Sequence, residues 1–236
     1  MHRGPQVLLR LDGRRRGAWR AAAVSALLVG AVAMTGGPAG AAAGAGAPKP
    51  ARDQQLITVT AASHRATAAT LTGYRRRGSR WIRVFGPWRA RVGDNGIARP
   101  GAKREGDGRT PSGSYGVGFF FGVRRNPGVR FPFRHAYSYD VWDDDPASPR
   151  YNEWVDDRHA DPGARPEPMH QVPAYDYAAV IAYNTARLPG LGSAIFLHVG
   201  TGSATAGCVS LPERELLTVL RWLNPKRSPQ ITITAK

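Results

Sequence analysis

The chain has one cysteine in 236 residues, Cys208, and a histidine, His198, ten positions before it. Both sit in the string IFLHVGTGSATAGCVSL, residues 195–211. A thiol attacks as its thiolate, so it needs a base or a local positive potential beside it. An imidazole, with an ordinary pKa of about 6.5, is the side chain suited to take that proton near neutral pH. Between the two lie only small residues: Gly200, Thr201, Gly202, Ser203, Ala204, Thr205, Ala206 and Gly207, with Val199 next to the histidine. Such a segment can fold back and bring a strand-end histidine to a loop cysteine. Gly207 permits a tight turn and the close approach of a ligand. Amides around Gly207 and Cys208 would face an oxyanion. The chemistry this pattern suits is nucleophilic acyl transfer. Taken singly, each residue has a plainer reading: a histidine satisfied at a strand end, and a small buried core cysteine.

The surrounding elements read as mostly β. Leu56–Ala61 alternates, Ala66–Tyr74 is threonine-rich, and Trp81–Phe85 meets a turn signal at Gly86-Pro87 before Trp88–Val92. Residues 93–113 are dense in glycine and read as loop. Ser114–Phe121 and Ala136–Trp142 resume as strands. The polar stretch 143–176 is too long for an ordinary connection, which predicts either a functional lid or a poorly packed segment. Ala178–Tyr183 and Ala194–Val199 are apolar runs suited to central strands, and Tyr183-Asn184 falls near the expected cleft. Ser210-Leu-Pro-Glu213 has capping-box spacing, so a helix is expected from there through Leu223, with its N-terminus just behind Cys208. Asn224-Pro225 stops it, and Ile231–Ala235 is a last strand.

The first 47 residues read as a secretory signal. Six arginines and one aspartate precede an uncharged run, Ala21 to Gly37, and then a stretch of small residues. The apolar centre, Val24–Met34, is shorter than the roughly 20 residues a spanning helix needs. Cleavage is expected between Ala41 and Ala47, followed by a flexible tether with the first strands at 48–79 and a main domain at 80–235. The whole chain carries a net charge of +16, and loss of the leader's six Arg and one Asp leaves +11. That excess suits either a solvated basic face with no partner or attraction to an anionic envelope polymer, and export argues against a nucleic-acid partner. A single cysteine forms no intrachain disulfide, so in an oxidising compartment it reads as reactive, intermolecular or buried.

The histidine, Gly200 and the box Thr205-Ala206-Gly207-Cys208 resemble the active-site signature of the L,D-transpeptidases, the YkuD-like catalytic domain. Upstream, Lys103–Tyr115 is similar to that family's Gly-Thr-Pro-x-Gly segment, at Gly108, Thr110, Pro111 and Gly113. The resemblance spans roughly residues 80–235. Ser210 departs from the Arg or Asn that many members carry, Thr205 from a serine, Ala206 from a second histidine in some, and Val199 separates His198 from Gly200. The resemblance implies a mostly β, sandwich- or barrel-like domain with a short helix after the cysteine. It implies that Cys208, deprotonated by His198, attacks a peptidoglycan stem tetrapeptide, releases D-alanine and passes the acyl group to the amine of a second stem as a 3→3 cross-link. Water as acceptor would make it an L,D-carboxypeptidase. Carbapenems would acylate the thiol. No cofactor or metal is implied, and the enzyme is expected to act as a monomer.

Other motifs carry less. Glu105-Gly-Asp-Gly lacks the spacing of a phosphate loop, and the six histidines form no HxH or HExxH set. Asp143-Asp144-Asp145 and Asp156-Asp157 read as solvated loop. A sortase-like ligase would place its histidine much farther from its cysteine, and an NlpC-like hydrolase would place the cysteine first. A non-catalytic envelope-binding module of the same fold is the alternative from another class.

Overall fold

The computed structural model describes residues 54–236. The leader and its expected cleavage region lie outside the described residues. The strands are β1 (Gln55–Ala61), β2 (Ala68–Arg77), β3 (Arg80–Arg91), β4 (Gly113–Gly122), β5 (Phe133–His135), β6 (Asp140–Trp142), β7 (Trp154–Asp156), β8 (Glu167–Pro168), β9 (Ala178–Ile181), β10 (Phe196–Val199), β11 (Val209–Leu211) and β12 (Gln230–Ala235). Among the described residues one α-helix, α1 (Glu213–Trp222), lies between β11 and β12. Among the described residues no helix is long and apolar enough to cross a membrane.

The main sheet runs β12-β1-β2-β3-β11-β10-β9-β4-β5, and β12 also pairs with β4. That pairing closes the sheet into a barrel, which leaves few free edges. β1 shows why the sequence closes this way. Its buried and half-buried residues alternate strictly, with Ile57, Val59 and Ala61 inward. β1 lies antiparallel to β2 and parallel to β12, so the second and the last strand flank the first.

Two apolar clusters lie on opposite faces of the wall made by β4, β9 and β10. The inner one joins Ile57, Val59, Leu71, Leu197, Val199, Val209, Leu211, Ile231 and Ile233 to Leu216, Val219, Leu220 and Leu223 of the helix segment. The outer one joins Phe121, Trp142, Met169, Tyr175, Ala178, Phe196 and Cys208. Strands buried on both faces read as unbroken apolar runs, which is why 178–183 and 194–199 do not alternate.

Four local expectations change. Gly86-Pro87 makes no turn: β3 runs through it, and the β2–β3 register shifts opposite, around Gly73. Gly86 takes φ +78, and a Cβ there would come within 2.5 Å of the Leu71 carbonyl oxygen. A bulge of this kind accommodates a proline that has no N–H for the ladder. Residues 136–139 are not strand; the Asp140 carboxylate accepts from Tyr137 N at 2.8 Å and folds the chain into a turn there. The capping box does not form either. Pro212 is the N-cap of α1, with no side-chain cap, and Ser210 and Leu211 belong to β11. A residue before proline is driven from helical to extended backbone, so Leu211 continues a strand rather than entering the helix. Finally, 143–176 is not poorly packed. It carries β7 and β8, which sandwich β6 in a three-stranded sheet, and it buries Tyr151, Val155, Met169 and Tyr175.

The helix stabilises the barrel through a few side chains. Leu220 is fully buried, whereas Leu217 lies at the margin. Leu220→Ala is expected to lower the unfolding free energy by about 2–5 kcal/mol in urea titrations, and Leu217→Ala by clearly less. Equal losses would mean that α1 does not pack by this face.

Candidate active site

β10 and β11 are parallel neighbours, with Leu197 opposite Val209 and His198 opposite Ser210. Side chains alternate between the faces of a strand. Leu197, Val199, Val209 and Leu211 point into the inner core, so Phe196, His198, Cys208 and Ser210 share the other face. Cys208 therefore stands diagonally across from His198. Both line one cavity of about 350 Å³. They are 7% and 8% exposed.

The loop between them is tied to the segment after β3. Thr205 N–H donates to Val92 O at 3.0 Å, and Asp94 N–H donates to Thr205 O at 2.7 Å. The Cys208 carbonyl accepts two hydroxyls, from Thr205 at 2.7 Å and from Thr110 at 3.1 Å. Gly93 N–H in turn donates to Thr110 Oγ1 at 2.8 Å. Thr110 of the upstream motif thus anchors the cysteine from 98 positions away. Gly207 adopts φ +151, and a Cβ there would lie 3.1 Å from the Arg109 carbonyl oxygen. Its N–H, expected to be free for an oxyanion, donates to Thr205 Oγ1 at 3.2 Å. The helix N-terminus is also not directly behind Cys208, because β11 and Pro212 intervene.

Burial disfavours the charged form of both the thiol and the ring. Cys208 Sγ–H donates to Ala194 O at 3.3 Å, and Phe196 N–H donates to Sγ at 3.3 Å. Burial pushes the thiol pKa well above its ordinary value, and the Glu167 and Asp144 carboxyls add to that. His198 Nδ1 lies 2.8 Å from the Val199 carbonyl oxygen, which only accepts, so Nδ1 carries the proton. Burial lowers the His198 pKa, while the Val199 and Ala174 carbonyls oppose the shift. Tyr175 stands edge-on to the imidazole, 5.5 Å between centroids.

The cavity also has an acidic wall that sequence reasoning missed. Glu105, Asp144 and Glu167 line it together with Lys103, Gln171, Tyr175 and Ser193. Tyr175 OH donates to Glu167, and Tyr151 OH donates to Glu105. Ser193 Oγ lies 2.7 Å from Glu105 Oε2 and 2.8 Å from Asp144 Oδ1. One hydroxyl proton cannot serve two ionised carboxylates. Burial favours the protonated form of Asp144, which relieves the conflict. The signal was the acid-rich 143–176 segment, which read as solvated loop because its buried partners are far away in sequence.

The other expected contacts scatter. Thr205, Ala206 and Gly207 line the cavity. Ser210 lines it too, and also opens onto a second groove shared with Gly200. Tyr183 and Asn184 are not in the cavity lining. Tyr183 OH donates to Leu191 O at 2.5 Å, and Asn184 Nδ2 donates to Leu188 O at 3.0 Å and to Gly192 O at 2.9 Å, bracing the loop before β10.

Burial first, then Glu167, pushes Asp144 up from 3.8 to about 7. A carboxyl with a raised folded pKa favours folding least above that pKa, because the unfolded chain ionises it more readily. The penalty grows as pH rises from 3.8 to about 7. Asp144→Asn is therefore expected to raise the melting temperature at about pH 8 and to leave it nearly unchanged at about pH 4. An equal rise at both would contradict the assignment.

The family model of the YkuD L,D-transpeptidase catalytic domain matches residues 54–233. The match includes β1 and β2, which are integral to the barrel. No curated protein gives a significant match. Among solved structures, the chain is similar to the helical cell shape determining protein Pgp2 of Campylobacter jejuni, in its K307A mutant, at 17% identity and a TM-score of 0.40. The similarity covers 78% of this chain and 49% of that one, so the chain spans about half that protein's length. A barrel closed by the pairing of β12 with β4, a thiol and an imidazole on one cavity wall, and a family match over most of the described residues agree: the chain belongs to the YkuD L,D-transpeptidase catalytic domain family.

Proposed function

We propose that this chain is an exported peptidoglycan L,D-transpeptidase, with Cys208 as nucleophile and His198 as general base and acid. The observation that carries the reading is the β10–β11 register, which sets the thiol and the imidazole on one face of one cavity within a domain of this family.

His198 takes the Cys208 proton as sulfur attacks the carbonyl of the third residue of a tetrapeptide stem. The imidazolium is favoured by the Val199 and Ala174 carbonyls, which offset part of the burial penalty. The bond to the terminal D-alanine breaks, and His198 returns the proton to the departing amine. A thioester remains on Cys208. The side-chain amine of a second stem then attacks it, a 3→3 amide forms, and the thiol regains its proton through His198. Water in place of that amine gives L,D-carboxypeptidase activity at the same centre. Thr205 and Gly207 hold the Cys208 backbone in place for both half-reactions. The leader at residues 1–47, cleaved between Ala41 and Ala47, would carry the domain to its wall substrate.

Incubation with a tetrapeptide stem, followed by intact-protein mass spectrometry, tests this. The wild-type protein is expected to gain the mass of the acyl group and to release D-alanine, and a carbapenem is expected to add once. Cys208→Ala is expected to do neither. An unmodified wild-type protein with no D-alanine released would sink the proposal.

A further inference from the structure

A second groove adjoins the thiol cavity and differs from it in charge. It is lined by Arg89, Arg91, Gly200, Gly202, Ser210, Leu211 and Pro212 and encloses about 350 Å³. Arg91 is the register partner of Ser210 across β11 and β3. Ala90 between the two arginines is buried in the inner core, so alternation turns Arg89 and Arg91 to the face that carries Ser210, Cys208 and His198. Neither guanidinium has a hydrogen-bond or ion-pair partner among the described residues.

A second observation points to a ligand there. Ser210 is 2% exposed, and its hydroxyl has no hydrogen-bond partner. A buried hydroxyl left unpaired is costly, and native structures rarely keep one without a role. Ser210 alone among the side chains with such orphaned atoms borders both the thiol cavity and the arginine groove. The thiol cavity itself is lined by Glu105, Asp144 and Glu167 together with Lys103.

We propose that Arg89, Arg91 and Ser210 form a carboxylate subsite that orients the peptide bound beside Cys208. Guanidinium groups pair with a carboxylate through two parallel N–H donors, and the Ser210 hydroxyl supplies a third donor from the strand. The two arginines draw the acid end of the peptide toward β3. The identity of the ligand as a peptide rests on the function proposed above; the anion site rests on the groove itself.

Titration of the wild-type protein with N-acetyl-D-alanine, followed by NMR, tests the subsite. The Arg89 and Arg91 Nε–H and Ser210 amide resonances are expected to shift saturably. The carboxamide of the same probe is expected to bind at least about tenfold more weakly. Arg91→Gln, and separately the exposed Arg89→Gln, are expected to erode that preference while the remaining spectrum stays folded. Equal binding of acid and carboxamide, or a preference that survives both substitutions, would overturn the subsite. So would inorganic phosphate binding tighter than the carboxylate. If the carboxylate binds here but no thioester forms with a tetrapeptide, the subsite stands and the transpeptidase reading fails.

Discussion

The parallel pairing of β10 with β11 is the constraint on which the rest of the molecule depends. A parallel pair cannot be joined by a tight turn. The chain must leave Val199, cross the top of the sheet and return to enter Val209 in the same direction. Residues 200–208 make that return, and the route passes close enough to Gly93 and Thr110 to be fastened there. The fastening fixes the register, and the register decides which side chains share a face. A slip of one residue would send Cys208 into the inner core and leave His198 facing apolar neighbours. The helix and the closed barrel hold one side of this pair, and the outer aromatic cluster holds the other.

The same burial that positions the pair also keeps it quiet. Removal from water favours the neutral thiol and the neutral imidazole, and the carboxyls of the 143–176 segment strengthen the effect on sulfur. A neutral pair needs proton transfer to coincide with attack rather than a standing thiolate. A buried, unpaired cysteine also meets oxidants in its less reactive, protonated form.

Much of the barrel was legible in the sequence. The doubly buried strands β9 and β10 read as unbroken apolar runs, and β1 alternates cleanly, because burial acts on each strand directly. What misled were local signals outweighed by their context. Gly86-Pro87 has turn chemistry, yet a bulge opposite Gly73 absorbs it within a long strand. Ser210 has cap spacing, yet Pro212 forces Leu211 to stay extended. At the site, His198 and Cys208 stood out because few residue types do their chemistry and they lie close in sequence. Glu105, Asp144 and Glu167 did not, because acids in a loop look solvated until the fold supplies Tyr151, Ser193 and Tyr175 as partners. Arg89 and Arg91 were hidden in a strand already dense with arginine.

The central claim is that the imidazole across the β10–β11 register controls the reactivity of the thiol. The pH dependence of iodoacetamide alkylation at Cys208, in the wild-type protein and in His198→Gln, measures this most directly. With His198 present, the rate should rise through an acid limb set by the ring, below its ordinary value of 6.5, and then stay nearly level. In His198→Gln that limb should vanish, and the rate should fall by about a hundredfold near neutral pH and recover only as the free thiol ionises at high pH. Identical profiles for the two proteins would contradict the account.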